Sequence, residues 1–128
     1  MWPCSTSLLW IKAIPNPQEL TELGANIVSS TAPQLVFDDF FWVSGEIARV
    51  TPYEKGFPGH LRRSKDGSSW EPDPLIIDER FLAVRVRDKG IVVFTACSHA
   101  GVVNVLSHAR ESFSSIQLYA VAGGFHLS

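Results

Sequence analysis

Ile91-Val92-Val93-Phe94-Thr95-Ala96-Cys97-Ser98-His99-Ala100-Gly101-Val102-Val103-Asn104-Val105-Leu106-Ser107-His108-Ala109-Arg110 is the stretch on which the fold turns. It opens with apolar, mostly β-branched residues, Ile91 to Thr95, which read as a strand buried on both faces. Small and polar residues follow. From Val102 the apolar residues fall at Val102, Val103, Val105, Leu106 and Ala109, a spacing that makes one helix face. The pattern is a strand, a tight turn and a helix running from about Gly101 to Ser112. His99 sits at the turn, beside Cys97 and Ser98. In α/β sheets ligands bind where the carboxyl ends of strands meet such turns.

The neighbouring segments extend this unit on both sides. Phe81 to Arg87 alternates apolar and basic residues, which predicts a strand with one wet face. Asp88-Lys89-Gly90 is a hairpin turn, so this strand pairs antiparallel with Ile91–Thr95. After the helix, Gln117 to Ala122 reads as another strand and runs into Gly123-Gly124-Phe125-His126. Strand, helix and strand over 91–127 have the length of a βαβ unit. Its two strands are then parallel, which puts His99 and His126 at the same edge of the sheet.

Upstream, Pro15 and Pro17 break the chain. Gln18–Leu23 makes one helical turn stopped by Gly24. Ala25–Ser30 and Gln34–Phe37 read as short strands, and Phe40–Ser44 as an aromatic one. Between Thr51 and Pro74 the composition turns rich in proline, glycine and basic residues, which predicts a long loop. A solvated insertion is the plainer reading. A flap is the sharper one, with Arg49, Arg62 and Arg63 available to an anionic substrate.

The chain has 128 residues with a hydrophobic fraction of 45% and a formal net charge of −2, the profile of one small globular domain. That charge makes no case for nucleic acid or for a membrane surface. The segment Met1 to Ile14 has no basic start and only a short apolar run, so a signal peptide is not expected and its length excludes a membrane span. Cys4 and Cys97 are the only cysteines and make no disulfide framework, which points to a reduced thiol and a cytoplasmic setting.

Imidazole suits zinc and other first-row metals, but zinc needs three or four protein ligands. His99 and His126 are two. His60, Cys97, Asp78 and His108 are the further donors in the sequence. His60 falls in the loop and reads as solvated. His108 lies along the helix and reads as a surface or packing residue. His99 alone also suits a histidine that satisfies backbone groups at a turn. A Cys97–His99 nucleophile pair is a rival, although no third group to orient the base is evident.

Thr95-Ala96-Cys97-Ser98-His99-Ala100-Gly101-Val102-Val103-Asn104 resembles the Thr-Gly-Cys-Ser-His-Ala-Gly-Ile-x-Asn signature of metallo-β-lactamase-fold hydrolases. The subgroup is the one named for a dihydropterin-ribofuranosylaminobenzene phosphate synthase. Gly123-Gly124-Phe125-His126-Leu127 matches its Gly-Gly-Phe-His-Leu. Ser44-Gly45-Glu46-Ile47-Ala48-Arg49 is similar to its Ser-Gly-Glu-Ile-Pro-Arg, with Ala48 for proline. The resemblance covers roughly Phe37 to Ser128. It implies an α/β fold, a partial αββα sandwich with a mixed sheet, over 34–128. Residues 1–33 form a poorly matched N-terminal segment.

The resemblance implies a metal-dependent hydrolase of small-molecule substrates, with two zinc ions in the complete family enzyme and a metal-bound water as nucleophile. His99 and His126 carry over as metal-site residues. Glu46, Arg49, Cys97 and Ser98 carry over to the substrate side. The family's His-x-His-x-Asp-His run is absent from this sequence. The chain therefore reads as the later-middle portion of a larger enzyme, inactive alone. The alternative is a non-catalytic interaction protein that keeps half of the fold. Half a sandwich leaves one sheet face uncovered, from which self-association is expected.

Overall fold

The computed structural model describes residues 15–125. Cys4, the tryptophans Trp2 and Trp10, and His126 lie outside the described residues. The order of elements is α1 (Pro17–Glu22), β1 (Gln34–Val36), β2 (Phe41–Val43), β3 (Leu61–Arg63), β4 (Trp70–Pro72), β5 (Phe81–Val86), β6 (Gly90–Thr95), α2 (Val102–Ser112) and β7 (Leu118–Gly123). Five strands form one mixed sheet in the order β1-β2-β5-β6-β7. The first four pair antiparallel, and β7 runs parallel to β6.

The β5–β6 hairpin forms as the sequence predicts. Its register runs from Phe81 opposite Thr95 to Val86 opposite Gly90, and Asp88 and Gly90 take positive φ to close the turn. The β6–α2–β7 unit also forms, with both strands adjacent and parallel. Asn16 caps α1 by accepting the Gln18 amide, and Leu23 ends it before Gly24.

The core lies between the sheet and α2. Phe81, Ala83, Ile91 and Val93 come from the sheet, and Val105 and Ala109 from the helix. Trp42, Phe113, Ile116, Leu118 and Val121 pack around them. The Trp42 ring meets Phe81 at 5.4 Å and Phe113 at 5.1 Å between centroids. Each large side chain buried here contributes roughly 1.5–3 kcal/mol.

Four expectations are corrected. Ala25–Ser30 forms no strand; it is exposed along its length and pairs with nothing that would make it one. The 51–74 segment is not structureless, because β3 and β4 pair as a small hairpin, Leu61 opposite Pro72 and Arg63 opposite Trp70. Arg62 binds Glu71 at 2.8 Å and the Arg63 guanidinium lies 5.0 Å from the Trp70 ring, so both arginines decorate the hairpin.

The third correction concerns β6, which is buried on one face only. Ile91, Val93 and Thr95 are covered, while Phe94 is 43% exposed. The fourth concerns β5. Phe81 and Ala83 are the buried residues, on the face that also carries Arg85. The regular apolar row Leu82, Val84 and Val86 lies on the opposite face with Phe41, Val92 and Phe94. Helix α2 packs on the first face. On the second, Leu82, Val84, Val92 and Phe41 are half-buried, Val86 and Phe94 are exposed, and the Phe37 and Phe40 rings meet Phe41.

Candidate functional site

The turn after β6 is built by long-range hydrogen bonds. Ser98 stands at φ 60° and is buried, with its Oγ 3.1 Å from Thr95 Oγ1. Gly101 follows at φ 97° and starts α2. The helix has no cap from its own N-cap residue. Glu54 replaces it from the loop: its carboxylate accepts the Val103 amide at 2.9 Å and the Asn104 amide at 2.8 Å. A carboxylate there also meets the positive end of the helix dipole.

Asn104 returns the link. It is fully buried, its Oδ1 accepts the amides of Val50 and Thr51, and its Nδ2 donates to Ala100 O at 2.7 Å. The 49–54 segment and the start of α2 are thus locked to each other. Any side chain at Gly101 would run into the Glu54 carboxylate.

At the neighbouring strand end, Gly124 donates its amide to Ala96 O at 2.7 Å. A Cβ at Gly123 would strike Thr95 O. The Gly-Gly pair therefore lets the end of β7 lie directly against the end of β6. His126 follows two residues after Gly124 in the sequence.

His99 is half-buried, and its Nδ1 lies 3.3 Å from Asp78 Oδ1. With Asp78 ionised, Nδ1–H donates, and Nε2 then carries the ring's lone pair. A ring held in this way suits metal ligation or proton transfer. Cys97 is exposed with a free thiol. Ser98 is 2% exposed; its hydroxyl meets Thr95 and its carbonyl accepts the Gly101 amide at 2.8 Å.

A cleft of about 160 Å³ opens beside this turn, between the 46–49 segment and the 75–77 loop, with Glu79 and Ala100 in its wall. It is smaller than the roughly 300–1,000 Å³ of pockets that enclose a whole ligand. Glu46 is exposed at its rim. Arg49 lines it too, but its guanidinium donates to the carbonyls of Glu54 and Leu75 and ties the two sides together. Ile76 sits at φ 45°, an unfavourable backbone for a β-branched residue. Cys97 and Ser98 are not among the lining residues.

The other two described histidines lie elsewhere. His108 packs its ring against Phe81 and Trp42, at 5.7 and 6.4 Å between centroids, as a helix-packing residue. His60 is half-buried rather than solvated, with its Nδ1 3.0 Å from Asp73 O and 3.5 Å from Asp73 Oδ2.

Among the described residues no group of three or more His, Cys, Asp or Glu is gathered as a metal would require. His99 and Asp78 make a pair, short of the three or four ligands of zinc. The described residues do not by themselves fit a metal centre. Among them, no helix is long and apolar enough to cross a membrane.

Glu54, Glu79 and Asn104 are missing from a reading of the sequence for site residues. The one local signal is polarity out of place: Asn104 sits between valines on the apolar helix face, and Glu79 lies two residues before a strand that starts with buried Phe81.

No family model matches this chain. A solved metal-dependent hydrolase of the beta-lactamase superfamily is similar in structure, with a TM-score of 0.59 and 26% sequence identity over 79% of this chain. The alignment covers 36% of that hydrolase. The fold is a mixed α/β arrangement matching part of a metallo-β-lactamase-like fold. A curated relative, the 7,8-dihydropterin-6-methyl-4-(beta-D-ribofuranosyl)-aminobenzene-5'-phosphate synthase of Methanocaldococcus jannaschii, is 40% identical over 50 residues. Those residues are 39% of this chain, and the match spans only 17% of the relative's length.

Proposed function

We propose that this chain carries one histidine-bearing edge of a zinc-dependent hydrolase, of the synthase-like subgroup that its motifs resemble. The observation that carries this reading is His99 on the turn after β6, next to Asp78, in a fold similar to a metal-dependent hydrolase. His99 and His126 are assigned to the metal. Glu46, Arg49, Cys97 and Ser98 are assigned to the substrate side. The substrate is a small molecule, and the setting is cytoplasmic.

The two described donors and the missing His-x-His-x-Asp-His run argue that this chain does not turn substrate over alone. The partly exposed apolar sheet face favours a second reading, a non-catalytic interaction protein that keeps half of the fold and associates through that face.

Cobalt(II) titration separates the readings, because its visible spectrum reports coordination number and ligand type. Saturable uptake without a thiolate band, weakened in His99→Ala, is expected for the metal site. No uptake by the parent chain would overturn it. A thiol probe reacting at Cys97, with the reaction abolished by His99→Ala, would instead indicate a Cys–His pair.

A further inference from the structure

One buried carboxylate holds the turn that carries His99. Glu79 is 8% exposed and is the acidic side chain found buried among the described residues. Its Oε2 accepts the Ala100 amide at 2.9 Å, and its Oε1 accepts the Thr95 hydroxyl at 3.2 Å. Thr95 has a single hydroxyl proton. Once that proton goes to Glu79, the Ser98 hydroxyl must donate to Thr95. A directed chain therefore runs from Ser98 through Thr95 to Glu79, and Ala100 feeds the same carboxylate.

Ser98 and Ala100 bracket His99. Ser98 keeps a left-handed backbone, which persists only where its surroundings hold it. Asp78, directly before Glu79, stands against the His99 ring. Two consecutive residues thus reach His99 and its neighbours: Asp78 the ring, Glu79 the Ala100 amide directly and the Ser98 hydroxyl through Thr95. Glu79 also lines the cleft, but both of its oxygens are engaged by the turn.

We propose that Glu79 is a positioning residue for His99: its carboxylate, holding the Ala100 amide and the Thr95–Ser98 hydroxyl pair, fixes the imidazole against Asp78. The inference rests on His99 being a site residue and names the group that sets its ring.

The test uses the full chain labelled with ¹⁵N-histidine, at a pH well above the ordinary imidazole range. Side-chain nitrogen shifts then report which ring nitrogen of His99 carries the proton. Glu79→Gln and Thr95→Val are each expected to loosen the preference for Nδ1–H. In Glu79→Gln the Ala100 amide is expected to exchange roughly tenfold faster, since a charged acceptor becomes neutral. Ile91→Val, at the far end of β6, is the control for general loosening and is expected to leave both readouts in place.

Unchanged His99 shifts in the folded variants would overturn the proposal. An equal change in Ile91→Val would overturn it as well. If Glu79→Gln does not fold, Thr95→Val decides alone. Zinc does not enter this readout, so failure of the chain to take up metal would sink the hydrolase reading and leave this test standing.

Discussion

Gly101 shows how closely single residues are fitted around this turn. It needs its positive φ, and the Glu54 carboxylate occupies the space where a side chain would go. Gly101→Ala is expected to destabilise the chain by roughly 1–3 kcal/mol from backbone strain alone, measured as a shift in the urea midpoint at unchanged slope. A second residue gives a pH signature. The Ser64 hydroxyl, with the amide and hydroxyl of Ser68, holds the Asp66 carboxyl down at about 2. Its folded value lies below the unfolded one, so its contribution is present above the ordinary carboxylate range and is lost as pH falls toward 2. The site is fully solvated and the effect on stability is small. NMR titration of Asp66 is expected to give about 2, and Ser64→Ala to raise it.

Among the elements, α2 depends most on a distant partner. Glu54→Ala removes the acceptor of two N-terminal amides and is expected to cost about 0.5–2 kcal/mol, as the loss of a helix cap does. Amide exchange at Val103 and Asn104 should rise, while the β5–β6 hairpin stays protected. That hairpin and the β6–α2–β7 unit were legible because period, turn residues and helix spacing are all local. The β3–β4 hairpin was not, since three-residue strands leave no period and the proline-rich composition hides them. His99 could be placed from its position at a strand end. Glu54, Glu79 and Asn104 could not, because the bonds that tie them to the turn and to the 50–51 segment span 16 to 54 residues and a single polar residue in an apolar run does not say what it binds.

The β5 pattern carries a lesson for the whole molecule. Alternation shows which residues share a face, and Leu82, Val84 and Val86 do. It does not show which face α2 will cover. The helix covers Phe81 and Ala83, and the more uniformly apolar face stays partly exposed, most of all at Val86 and Phe94. A partly exposed apolar sheet face favours association. Apparent mass in sedimentation is therefore expected to rise with concentration, and a hydrophobic dye to bind. Phe94→Lys places a charge on that face at a half-exposed position. It is expected to lower both signals while changing stability by about 0.5 kcal/mol or less. A chain that stays monomeric and binds no dye would show that the face needs no cover.

The most direct test of the metal-site reading is the metal content of the purified chain by plasma mass spectrometry, beside a His99→Ala/His126→Ala variant. About one zinc or more per chain, lost in the double variant, is expected if these histidines form part of a metal centre. A parent chain that carries no metal, or carries as much as the variant, would contradict it.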